Sequence, residues 1–331
     1  MQRLPSFLIL ACLAALPVAS AAAQPVCARA AAVAPALERL RTALAHGRFV
    51  TYEPTSLQVR DGHVHEAEAD SIRADLRLLR PRFDGLITYD AVHGAQQIAP
   101  IAAQLKFRAL IIGVWNPLDP AQVAAALATA RSYPQLIVGV SLGNETLFSH
   151  RATVPQLAAA FAAVRAGAPL LPLSTSEPFH IFEAAPGSAL LPLMDFMLVN
   201  VHPVFQSWFH GSSTATDSQF VVNVAGQLGQ GYCGPILIKE TGMPTEPAEA
   251  GYSNGRQASF YKELRTRLPP RPGLAFSYFS AFDAPWRVQD ATGVPGPHPE
   301  EAYWGLYDSA RRPKPAVDQL APLAQDSRSR N

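Results

Sequence analysis

Apolar residues in this chain gather into short runs separated by stretches with a helical repeat. The runs are Phe49–Tyr52, Gly85–Tyr89, Ala109–Trp115, Leu136–Leu142, Leu171–Thr175, Phe196–Val201, Pro235–Lys239 and Leu274–Phe282. Most are continuously apolar, the pattern of parallel strands buried on both faces. Between them, Ile72, Leu76 and Leu79 keep the i, i+4, i+7 spacing of one helix face, as do Leu157, Phe161 and Val164. Asp119-Pro120 supplies a helix cap with proline in the first turn, ahead of Val123 and Leu127. Phe220, Val224 and Leu228 mark a further helix, and so do Phe260, Leu264 and Leu268. The fifth interval, Ile181 to Leu193, carries Pro and Gly and has the weakest periodicity. Eight such alternations over about 280 residues predict an α/β protein of the (β/α)8 TIM-barrel class. No GxGxxG follows the early runs, which counts against a dinucleotide-binding sheet.

Composition narrows the picture. The 331 residues are 48% apolar and 16% charged, as in a folded globular protein. With 27 Lys and Arg against 26 Asp and Glu, and no basic stripe, a nucleic acid is not an expected partner. Arg3, the apolar stretch Phe7 to Val18 and the small residues Ala19 to Ala23 read as a secretory signal peptide over residues 1–23. A secreted or periplasmic protein follows, with no membrane insertion after cleavage and expected to act as a monomer. The domain plan is then an N-terminal segment at 24–47, the barrel at 48–323 and a disordered polar tail at 324–331. Cys27 and Cys233 remain after cleavage, and both a disulfide and two separate thiols stay open. Neither has metal-site spacing. His63 and His65 flank no third ligand and read as solvated loop, so no metal and no cofactor is expected.

In a barrel of this kind, chemistry belongs to the C-terminal ends of the strands. The fourth run leads into Gly143-Asn144-Glu145 and the seventh into Lys239-Glu240-Thr241-Gly242. An acid directly after a buried strand is costly without partners or a task. Two of them, on strands four and seven, can converge on one sugar. Cleavage of a glycosidic bond needs such a pair: a protonated carboxyl for the leaving oxygen and an ionised one for the anomeric carbon or a water. Gly139-Val140-Ser141-Leu142-Gly143 matches a nucleophile-elbow pattern, but Ser141 falls inside an apolar strand, where no elbow forms. Strand alternation points Lys239 away from Glu240, toward the helices.

These motifs resemble a known family. Gly143-Asn144-Glu145, Asn200-Val201-His202-Pro203, Lys239-Glu240-Thr241-Gly242-Met243-Pro244 and Tyr278 through Trp286 are similar to the strand-four, -six, -seven and -eight motifs of glycoside hydrolase family 17, over roughly residues 48–310. The resemblance implies a secreted, bacterial-type member of a retaining (β/α)8 clan that acts on β-1,3-glucan, either hydrolysing it or transferring its chains. It implies Glu145 as general acid/base, Glu240 as nucleophile and Asn144 as the partner of the sugar 2-hydroxyl. Tyr89, Asp90, Asn200, His202 and Glu301 are expected at the sugar cleft. Trp115, Trp286, Trp208 and Trp304 are candidates to stack on sugar faces, Trp286 foremost. The chain departs from the family pattern at Val204, Ala284 and Arg287, where many members have Tyr, Glu and Lys, and a non-catalytic glucan-binding protein stays open on that ground.

Overall fold

The computed structural model describes residues 30–60, 63–289 and 297–323. Its centre is a closed barrel of eight parallel strands in chain order: β1 (Phe49–Thr51), β2 (Gly85–Ile87), β3 (Ala109–Val114), β4 (Ile137–Asn144), β5 (Leu173–Pro178), β6 (Met197–Asn200), β7 (Ile236–Glu240) and β8 (Leu274–Tyr278). Strand β1 pairs with both β2 and β8, which closes the sheet. The (β/α)8 class read from the apolar runs is therefore the fold. Each run shortens by a residue or more at one end or both, except β4, which runs on to Asn144, and β5 and β7, which start and end later. Past Tyr278 the eighth run leaves the sheet, and its Phe279–Ser280 peptide is cis.

Helices stand at all five of the apolar faces read above, and three further ones lie where no face was marked. They are α2 (Ala69–Leu79), α3 (Ile98–Gln104), α4 (Pro120–Ser132), α5 (Val154–Gly167), α6 (Phe179–Glu183), α7 (Thr214–Gly231), α8 (Asn254–Arg267) and α9 (Pro315–Asp318). Asp119 caps α4 by accepting from the Ala121 N–H, and Thr153 and Gln156 form a capping box on α5. The weak fifth interval forms only the one-turn α6 and a 3-10 stretch, Gly187–Leu193, with Pro192 inside it. His63 and His65 belong to a small hairpin in which Gln58–Arg60 pairs with His63–His65, and both are exposed. Among the described residues no helix is long and apolar enough to cross a membrane, and no group of three His, Cys, Asp or Glu could hold a metal.

One more helix lies ahead of the barrel. The N-terminal segment contains α1 (Ala30–His46). Its Val33, Leu37, Leu40 and Leu44 cluster with Phe49, Ile87, Ala109, Ile111, Val138, Phe196, Leu198, Leu237 and Ala275. Those strand residues alternate with Val50, Leu86, Leu110, Ile137, Val199 and Ile238, which join the larger cluster shared with the outer helices. The alternation puts the first set inside the barrel, and α1 closes its N-terminal mouth. Phe49 and Phe196 fill this layer because Gly85 and Gly139 face them; a Cβ on either glycine would lie 2.6 Å from a ring atom. Cys233 is disulfide-bonded. Cys27, the expected signal peptide and the tail after Leu323 lie outside the described residues.

Candidate active site

Both strands that end in a candidate carboxyl break register in their last turn. Opposite β5, Ser141 pairs with Ser174 but Asn144 with Ser176, so β4 carries one extra residue. Opposite β6, Val199 pairs with Ile238 but Asn200 with Glu240, so Lys239 is the extra residue of β7. Such a bulge lets two consecutive side chains turn to the same side. Asn144 and Glu145 both reach the cavity at the barrel's C-terminal mouth, and Lys239 turns inward beside Glu240. The expectation that Lys239 packs among the helices is thus corrected: regular alternation stops one residue too early for it to hold. Gly143 (φ 96°) makes the turn in β4, and Glu145 itself sits at φ 52°, a left-handed conformation that costs a non-glycine residue.

The cavity holds about 150 Å³. Glu145 and Glu240 both line it, with Asn144, Tyr89, Trp115, His202, Trp286 and Glu301. Glu240 Oε1 accepts from the Tyr89 hydroxyl (2.9 Å) and from Lys239 Nζ (2.9 Å), and its Oε2 lies 3.5 Å from His202 Nε2. Glu145 Oε1 accepts from Asn200 Nδ2 at 2.8 Å, and Asn200 is fixed in turn by the Ser176 hydroxyl at 2.9 Å. Asn200 therefore acts through Glu145. Buried Glu177 holds the loop after Glu145 by accepting from the Leu147 and Phe148 N–H groups at 2.8 and 3.1 Å.

These surroundings drive the two carboxyls apart. Burial, reinforced by the charge of Glu240, pushes Glu145 up to about 7. Burial alone would also raise Glu240, but the Lys239 ammonium and the bond from His202 outweigh it and hold that carboxyl at about 2. Burial and the neighbouring Glu240 keep the Tyr89 hydroxyl protonated well above its usual range, so it stays a donor. Burial also raises Glu301 above the ordinary carboxyl value, against the pull of Arg287.

Not every expected residue comes to the cavity. The Asp90 carboxylate turns back on its own loop, accepting from the Ala91 and Val92 N–H groups and meeting His93 Nδ1 at 2.6 Å. It lines a separate small hollow, because an Asp just past a strand readily closes a local turn. Trp208 packs edge-on against Phe220 and is 39% exposed, away from the cavity. Trp304 does line the cavity, ring to ring with His202. The Trp115 ring carries the Arg151 guanidinium 4.3 Å from its centre. Ser141 is buried within β4 and donates to the Gly143 carbonyl, so no elbow forms.

The reading above missed Glu53, Phe205, Phe279 and His298, all of which line the cavity. Glu53 directly follows the first apolar run, two residues past β1, and pairs with Arg287. The rule that singled out Glu145 and Glu240, an acid just past a strand, applies to it equally. No sequence rule marks Phe279, whose ring meets His202 and Trp304 only through the fold.

One protonated and one ionised carboxyl, sharing a cavity at the C-terminal mouth of a (β/α)8 barrel, are the equipment of a glycosidase. Comparison with known proteins agrees. The BtgE/BtgC glycoside hydrolase domain matches residues 50–305. The chain belongs to that family, and the resemblance to glycoside hydrolase family 17 holds. Over 273 residues it is 26% identical to a glucan 1,3-beta-glucosidase of Arthroderma benhamiae, covering 78% of this chain and 85% of that protein. It spans 35%, 31% and 22% of three further fungal relatives. A family 17 beta-1,3-glucanosyltransferase from Rhizomucor miehei shares the fold at 18% identity, with a TM-score of 0.61 over 81% of this chain and 95% of the other. An active-site mutant of that enzyme, solved with laminaritriose, superposes equally well at 17% identity, over 81% and 96%.

Proposed function

We propose that this protein cleaves β-1,3-linked glucan with retention of anomeric configuration, Glu145 serving as general acid/base and Glu240 as nucleophile. In the first step the Glu145 carboxyl gives its proton to the glycosidic oxygen while the Glu240 carboxylate attacks the anomeric carbon. The C1–O bond breaks and a glycosyl ester forms on Glu240. In the second, Glu145, now ionised, takes a proton from a water or sugar hydroxyl as that oxygen attacks C1 and Glu240 departs. Water gives hydrolysis and a glucan hydroxyl gives chain transfer.

The observation that carries this reading is the opposed ionisation of two carboxyls in one cavity, about 7 against about 2, which leaves each in the required state across the weakly acidic range. The β-1,3 linkage rests on the names borne by the relatives. Export through a cleaved signal peptide, with the barrel starting near residue 48, belongs to the same proposal. The disulfide at Cys233 suits an oxidising compartment. Laminari-oligosaccharides followed by NMR test the reaction: the first product should appear as the β-anomer, and Glu240→Gln should reduce turnover to background in a folded protein. An α-anomer first, or parental turnover by Glu240→Gln, refutes it. Products longer than the starting sugar would mark chain transfer as the dominant second step.

A further inference from the structure

Lys239 transfers no proton and forms no bond in the proposed reaction, yet its ammonium lies beside the Glu240 carboxylate. The side chain is 2% exposed. Its Nζ stands 2.5 Å from Asn144 Oδ1, 2.9 Å from Glu240 Oε1 and 4.1 Å from the centre of the Tyr89 ring. An ammonium only donates hydrogen bonds, so the atom of Asn144 that faces it must be the carbonyl oxygen. That choice fixes the amide: Oδ1 points down to Lys239 and to Asn200 Nδ2 at 3.4 Å, and the NH2 group is left to the cavity. Lys239 thus touches both residues that meet the sugar from β4 and β7. Only the extra residue in β7 brings it there. A charge in a barrel interior is expensive, and an apolar side chain would fill the same space.

We propose that Lys239 is a positioning residue: from the bulge of β7 it orients the Asn144 amide toward the sugar 2-hydroxyl and steers the Glu240 carboxylate for attack. This rests on the reading of Glu240 as nucleophile. The charged and titratable groups around Glu240 and its cavity are Lys239 on its own strand, Glu53 beyond β1, Tyr89 beyond β2, Glu145 beyond β4, His202 beyond β6, and Arg287, His298 and Glu301 beyond β8. Of these, Lys239 is a full cation in direct contact with the carboxylate.

The test is the pH dependence of kcat/KM, which reports the free enzyme's groups. It is measured on laminari-oligosaccharides for the parent, Lys239→Met and Lys239→Arg. In the parent, kcat/KM at pH 4 and pH 6 should be alike. In Lys239→Met the acidic limb climbs into this window, because Glu240 loses its cation, and the value at pH 4 drops about tenfold against that at pH 6. Lys239→Arg keeps the charge and should keep the parental profile. Preference for a β-glucoside over its 2-deoxy analogue should shrink in Lys239→Met alone, since a freely turning Asn144 no longer favours the 2-hydroxyl. A merely structural lysine would move neither ratio, and an unchanged profile with unchanged 2-hydroxyl preference overturns the proposal. If Lys239→Met does not fold, the double variant Lys239→Met/Glu240→Gln decides. Recovery of folding supports the proposal, because the offending element is then the carboxylate left unpaired. Failure of the double variant overturns it. Parental turnover by Glu240→Gln would instead refute the nucleophile, so the two failures are distinguishable.

Discussion

The two mouths of this barrel solve opposite problems. At the N-terminal mouth, α1 lays Leu37, Leu40 and Leu44 over Phe49, Phe196 and Leu237. At the C-terminal mouth, Glu145 and Glu240 share one cavity with Lys239 buried beside Glu240, and Glu145 takes a backbone conformation that L-residues avoid. Burial of apolar area stabilises the first end. The second end spends stability on buried charge and strain, which is tolerable only because the closed sheet beneath it is rigid. One sheet thus separates where the fold is held from where the chemistry is done.

This contrast can be broken most sharply at Glu145. Glu145→Gln should lower kcat/KM on laminari-oligosaccharides by about 10²- to 10⁴-fold, and much less on an aryl glucoside whose leaving group needs no proton. The pH profile fixes the sign. As the proposed acid, Glu145 must be protonated to act and is pushed up to about 7, so parental activity should fall roughly tenfold per pH unit above neutrality. Glu145→Gln should lose that limb. Equal loss on both substrates would remove Glu145 as the acid.

The lower mouth should answer in stability alone. Leu40 is fully buried, and Leu40→Ala should cost about 2–5 kcal/mol in denaturant melts while kcat at a permissive temperature is unchanged. A matching fall in kcat would show that the two ends are coupled.

A smaller effect sharpens the idea that the upper mouth costs stability. The Glu145 value in the fold is raised above the ordinary 4.5, so its favourable contribution is complete below that value and is lost as pH rises through about 7. At pH 8 the parent holds an unwelcome buried charge, and Glu145→Gln should be about 1–2 kcal/mol more stable, an advantage that disappears at pH 5. Glu240, held low, behaves inversely: its contribution is present above 4.5 and lost as pH falls toward about 2. The smallest change belongs to neither mouth's interior. Asp119→Ala removes the α4 cap and should cost about 1 kcal/mol with no change in kcat/KM, read by thermal melts beside kinetics.

Much of this was legible along the chain, because strands buried on both faces need continuous apolar runs and helices need a repeating face. Those two requirements set the eight strands, their order and the acids just past the fourth and seventh. The Asp119-Pro120 pair likewise marked the start of α4. Periodicity could not reach what depends on pairing between distant strands. Lys239 turns inward because β7 has one residue more than β6 can match, and that mismatch exists only once the two lie side by side. Asp90 turned to its own loop, Asn200 reached across from β6 to hold Glu145, and α1 found its place only when the barrel presented an open apolar mouth. Local spacing therefore determined the barrel and located its two acids, while contacts across the closed sheet decided their ionisation and what orients them.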